Sequence, residues 1–257
     1  MTEQTRTDGW TRWWEFYAIR YAMGTVVGAI LFYFLCQSSL ALQPLPFQTL
    51  PVGSATEKPV VGPQLDATRL TLLAAYGLVY CYIASAPVLV FHAGRFLLEL
   101  GTGPRTKLKW LALCILPPIL VAVVAYALPS SRPLAERLLF SGSSFALAAI
   151  LLLQIVVVCR TLSRNAELYA FYARLAARRG QATGEITESY RHLREHGNSF
   201  FIVFLEAVLA LILFGATTLT PVSVGTMRVT ADAVLPVILV AWIVPSALVR
   251  SSPTRWT

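Results

Sequence analysis

Glu206 and the stretch His192-Leu193-Arg194-Glu195-His196 are the places in this 257-residue chain where residue type and spacing could do chemistry. Glu206 lies inside an apolar run, whereas the other acids fall in loops or near the ends of runs. A carboxylate within a bilayer is costly and normally faces a cavity, an ion or a basic partner. Glu206 therefore reads either as half of a buried pair with Arg160 or Gln154, holding two helices together, or as an ion or proton site on a path. A carboxylate that snorkels to the interface is the third reading. The second stretch has the H-x-x-E-H spacing of the inverted zinc-protease motif. Histidines at i and i+4 share one helix face and can chelate zinc, with the glutamate beside them as a base. Arg191 and Arg194 flank it and repel a cation, and Glu206 is too far along the same helix to be the third ligand. His192, Glu195 and His196 are thus expected to be a solvated face near the membrane, with zinc hydrolysis and a structural metal as lesser readings. No glycine-rich phosphate loop or nucleophile elbow occurs, so neither a cofactor nor an enzyme activity is expected.

The elements that must position these residues follow from composition. Hydrophobic residues make up 56% of the chain, charged residues 13%, and the mean hydropathy is +0.63. An average soluble domain is about 25% charged, so a soluble globular enzyme and a disordered chain are both excluded. Six runs, near 17–37, 70–91, 109–128, 138–158, 199–219 and 233–249, are long and apolar enough to cross a hydrocarbon core, which takes ~20 helical residues. Only helices and closed barrels satisfy every backbone group in lipid, and runs of this length mean helices. The expected fold is an all-α polytopic membrane bundle of six transmembrane helices. Pro87, Pro117, Pro118, Pro236 and Pro245 fall inside the runs, where each removes a backbone donor and invites a kink.

Orientation comes from the 21 lysines and arginines. With the N-terminus inside, the inner segments hold Arg6, Arg12, Arg20, Arg95, Arg105, Lys107, Lys109, Arg160, Arg164, Arg174, Arg178, Arg179, Arg191, Arg194, Arg250 and Arg255. The outer ones hold Lys58, Arg69, Arg132, Arg137 and Arg228. Positive residues concentrate on the cytoplasmic side, so both termini are expected in the cytoplasm, and the membrane is expected to be a bacterial inner (plasma) membrane. Trp10, Trp13, Trp14, Trp110 and Trp256 fall at the proposed inner interface, where amphipathic rings are most comfortable. The net charge of +8 is then topological, and nucleic acid is not an expected partner. Ser39-Leu40-Ala41 has the look of a signal-peptide cleavage site, but the preceding run is long for such a segment, so it is read as an anchor. Cys36, Cys81, Cys114 and Cys159 lie one per run with no metal-like spacing.

The chain divides into an interfacial segment at 1–16, helices one to four at 17–158, a basic cytoplasmic helical hairpin at 159–198, helices five and six at 199–249, and a tail at 250–257. The hairpin is expected to turn near 180–184, where Arg178-Arg179-Gly180 stops one helix and Thr183-Gly184-Glu185 starts the next. Leu162, Ala166, Tyr169, Ala173 and Ala176 form one candidate seam, and Ile186, Tyr190, Leu193, Gly197 and Phe201 the other. Folding them together sets Glu206 opposite Val157 or Val158, near Arg160 and Gln154. Arg164, Arg174, Arg178, Arg179, Arg191 and Arg194 would then offer a docking surface for an acidic cytoplasmic protein or anionic lipid headgroups. Gly24 and Gly28 form a G-x-x-x-G pair suited to close helix packing, within the chain or in a homo-oligomer. Two functions fit: a channel or transport component whose hairpin docks a cytoplasmic partner, and a toxin or defence effector that perturbs the membrane when such a partner signals. A membrane metallohydrolase is a distant third. Periplasm-dependent phosphatase fusions after residues 55, 132 and 226 should be active and those after 102, 182 and 255 inactive; activity at 182 would overturn this topology.

Overall fold

Runs of Leu, Ile, Val and Ala fold as helices because the helix satisfies each backbone donor and acceptor within its own segment. The computed structural model of the protein describes residues 22–37, 67–94, 104–127, 133–163, helical positions scattered from 166 to 177, 185–217, 222–224, 227–229 and 231–251; the side chains of 104–108, 110–111, 185–196, 222–224, 227–229, 231–232 and 250–251 are outside that description. Each expected apolar run falls on a helix. These are α1 (Ala22–Gln37), α2 (Ala67–Ala84) continued by α3 (Ala86–Ala93), α4 (Pro104–Ala127), α5 (Leu134–Ser163), α6 (Glu185–Thr217) and α7 (Ala231–Ser251). Three stretches, Ala67–Ala93, Leu134–Ser163 and Gly197–Thr217, are long and apolar enough to cross a membrane, and shorter apolar helices cover Ala22–Gln37, Ala112–Ala127 and Ala233–Val249. The helical fold carries one departure from the all-α expectation. Between α6 and α7, β1 (Val222–Val224) pairs antiparallel with β2 (Met227–Val229), with Val222 opposite Val229.

Many large apolar side chains are exposed, and a few polar ones are buried. Met23, Phe34, Leu116, Leu120, Phe204 and Val237 are exposed, whereas Ser143, Gln154, Thr161, Glu206 and Ser246 are buried. Outward apolar side chains around a core containing polar ones are compatible with a hydrocarbon solvent. The main core gathers Leu205, Leu209 and Leu213 of α6, Leu235, Ile238 and Trp242 of α7, and Tyr80 and Ala84 of α2. A smaller cluster joins Val90 of α3 to Val157 and Val158 of α5.

Helices α1 and α2 meet backbone to backbone. A Cβ on Gly28 would stand 2.6 Å from the Gly77 carbonyl oxygen, and one on Gly77 would stand 2.5 Å from that of Thr25. Gly28 of the G-x-x-x-G pair thus packs within the chain, against a third glycine. Small residues also set the crossing of α5 and α6, where Gly215 lies against the Ser143 side chain. Counting antiparallel from that contact, Gln154 falls level with about residue 204 and Arg160 with about 198. This corrects the register expected from the hairpin turn by roughly one and a half helical turns. Of the expected seam positions, Leu162, Ala166, Ala173 and Gly197 are exposed and Phe201 is half-buried, while Thr161 and Phe171 beside them are buried; Tyr169, Ala176 and the side chains of Ile186, Tyr190 and Leu193 lie outside the described residues. The turn at 180–184 and most of the loop at 38–69 lie outside the described residues.

The break between α2 and α3 has a defined cause. Pro87 has no N–H, so the Ile83 carbonyl loses its ordinary helical donor. The turn tightens locally, with Val88 N–H donating to the Ser85 carbonyl at 3.0 Å and the Ser85 hydroxyl to that of Tyr82 at 2.9 Å. The Ile83 carbonyl is met from another helix: the fully buried Trp242 donates its indole N–H to it at 3.1 Å. Trp242→Phe should therefore destabilise the protein by about 1–3 kcal/mol, the cost of an orphaned buried carbonyl. In a Pro87→Ala background, which restores a local donor, the loss should shrink by about 1 kcal/mol in detergent unfolding. Strictly additive losses would contradict the assignment.

Candidate functional site

Ile202, Leu205, Leu209 and Leu213 place one face of α6 in the core, and Glu206 sits in the middle of that face. Its residue is 0% exposed. The groups around it come from α1 and α2. The Tyr80 hydroxyl donates to the Glu206 backbone carbonyl at 2.7 Å, using the second lone pair of an oxygen already inside a helix. Cys81 turns its thiol, a weak donor, toward the carboxyl. Gly24 closes the site from α1: a Cβ there would stand 2.5 Å from Cys81 Sγ and 3.2 Å from Glu206 Oε1. Neither carboxyl oxygen has a hydrogen-bond partner of ordinary geometry. Such a group remains unsatisfied until a proton, a cation or a water reaches it.

The expected pair with Arg160 or Gln154 is not formed. The α5–α6 register sets Arg160 about eight residues from the level of Glu206, roughly 12 Å along the helix axis. Gln154 is close to that level, fully buried, with its own Nε2 and Oε1 atoms unpartnered. Two turns further along α5, the Thr161 hydroxyl is also buried and unpartnered. Arg174 is exposed. Arg164, Arg178 and Arg179 lie outside the described residues, as do the side chains of Arg191, Arg194, His192, Glu195 and His196. Among the described residues, no group of three His, Cys, Asp or Glu side chains gathers as metal ligands would. A groove of about 640 Å³ opens between α5 and α7, lined by apolar residues including Ile155, Val240 and Val244. Glu206 is not on its wall.

No family model, curated protein or solved structure matches the chain. The site therefore rests on its own geometry. Tyr80, Cys81 and Thr161 were missed by the sequence reading. Their signal was present for α2, where Gly77, Tyr80 and Cys81 share a face at the spacing of a small-residue packing stripe. Thr161 carried none, because a lone threonine near a helix end is ordinary. If Gly24 makes room for the thiol and carboxyl, Gly24→Ala should cost about 1–3 kcal/mol through overpacking. Cys81→Ala in the same chain should recover most of it in detergent thermal unfolding, and equal losses in both backgrounds would contradict this packing.

Proposed function

We propose that the protein is a proton-handling channel or transport component of a bacterial inner (plasma) membrane, with both termini cytoplasmic and Glu206 as the group that takes up and releases the proton. The observation that carries the reading is a fully buried carboxyl with neither oxygen in a hydrogen bond of ordinary geometry and only the weakly donating Cys81 thiol turned toward it. A proton is favoured over a metal cation by the surroundings. Hard cations ask for several oxygen ligands, whereas the carboxyl here faces a thiol, a glycine and a tyrosine hydroxyl already committed to backbone. A proton needs one oxygen. The exposed apolar surfaces and the three long apolar helices support the membrane setting, and the distribution of lysine and arginine supports the orientation.

The basic hairpin, with Arg174 exposed, supports a cytoplasmic protein partner that would dock beside the membrane surface. In liposomes holding an internal pH dye, a potassium diffusion potential should drive proton entry. Glu206→Gln should lower that flux roughly tenfold or more while eluting like the wild type, because an amide cannot exchange a proton. Glu206→Asp should keep part of it. Undiminished flux through Glu206→Gln would contradict the proposal. Flux or conductance that appears only once a cytosolic protein is added would favour the effector reading instead.

A further inference from the structure

The buried polar groups on α5 form a row. Gln154 and Thr161 lie seven residues apart, on one face of the helix and about 10 Å from each other along its axis. Between them Val157 and Val158 pack against Val90 of α3, and Val157 presses on Gly94, so the face is enclosed by neighbouring helices. Gln154 is 0% and Thr161 3% exposed, and Nε2, Oε1 and Oγ1 all lack partners. A buried amide and hydroxyl in that state carry a desolvation cost that a buried water would remove, and such waters typically make two to four hydrogen bonds to otherwise unsatisfied groups. The row has a direction. It starts close to the level of Glu206 and ends two residues before Ser163, at the end of the bundle assigned to the cytoplasm. Toward the opposite end, the buried residues beyond Glu206 on α6 are Leu209, Ala210, Ile212, Leu213, Gly215 and Ala216, none with a polar side chain. The single buried hydroxyl on that side of α5, Ser143, is already satisfied by the Phe140 carbonyl at 3.0 Å.

We propose that Gln154 and Thr161 line a hydrated half-conduit that carries water, and with it protons, from the Ser163 end of α5 to Glu206. The inference rests on the reading of Glu206 as the proton carrier and adds the route by which the proton arrives. Neither side chain changes charge. Both serve as fixed donors and acceptors for a short file of water, and the proton passes along that file to a carboxylate oxygen of Glu206. The apolar half beyond Glu206 is the barrier that prevents a continuous leak.

Hydration is tested separately from transport. Gln154→Cys, Thr161→Cys and the outward-facing Ile155→Cys are reconstituted in liposomes, treated with a charged methanethiosulfonate, and read peptide by peptide by mass spectrometry. Charged reagents react with a thiolate, which forms in water and not in lipid. Gln154→Cys and Thr161→Cys should react roughly tenfold or more faster than Ile155→Cys. A rate at Gln154→Cys no higher than at Ile155→Cys overturns the conduit. In the proton-flux assay, Gln154→Leu and Thr161→Val should each lower flux by roughly tenfold, with Glu206 unchanged in sequence and the protein still monodisperse. Full flux in Gln154→Leu overturns the conduit and leaves the Glu206 reading intact, provided Glu206→Gln is inactive. Full flux in Glu206→Gln overturns the reading of the carboxyl itself, and the labelling rates then still decide whether the row is wet.

Discussion

The contact of α1 with α2 at Gly28 and Gly77 is the constraint on which the site depends. Any side chain at either position would run into the opposing backbone. Because neither glycine has one, the two helices approach closely enough for Gly24, one turn away, to close over Cys81 and Glu206. In lipid no hydrophobic force draws apolar helices together, so close packing of small residues supplies much of the association. That packing also excludes solvent from the α1 side of the carboxyl. The enclosure of Glu206 is thus made by glycines on two helices that carry no functional group themselves.

A second constraint comes from Pro87. A proline in a membrane helix frees a carbonyl that lipid cannot satisfy. Trp242 supplies the missing donor from α7 and fills the core with its ring, which ties the α2–α3 break to the last helix. The bond lies one turn past Tyr80, whose hydroxyl holds the Glu206 backbone. Tyr80 and Ile83 therefore fasten the same stretch of helix to α6 and α7 respectively, and the position of Cys81 between them is fixed from both sides.

Much of this was legible in the sequence, and the limits have physical reasons. Hydropathy located the apolar helices among the described residues, three of them long and apolar enough to cross a membrane, because length and composition alone set that signal. It also singled out Glu206, because one acid in an apolar run stands out against any background. The pair of Glu206 with Arg160 or Gln154, one of three readings of that carboxyl, is not formed. Its register was counted from a turn at 180–184, but the crossing of α5 and α6 is set at their other ends by Ser143 and Gly215. A shift of a few residues there moves a neighbour by more than a helical turn. The bond from Trp242 to Ile83 was not legible at all, since it joins residues 159 apart through a carbonyl that any sequence carries. The paired strands Val222–Val224 and Met227–Val229 gave no sequence signal, because three-residue strands show no periodicity.

The account comes down to whether the Glu206 carboxyl exchanges a proton while enclosed by these helices. Infrared difference spectroscopy on the protein in lipid, with the bulk pH stepped on one side, reads that event directly. The account predicts a protonated-carboxyl band that rises and falls with the step, loses its response in Glu206→Gln, and shifts in Cys81→Ala because the thiol faces the carboxyl. A pH-dependent carboxyl band that is identical in the wild type and Glu206→Gln, or no such band in the wild type, would contradict it.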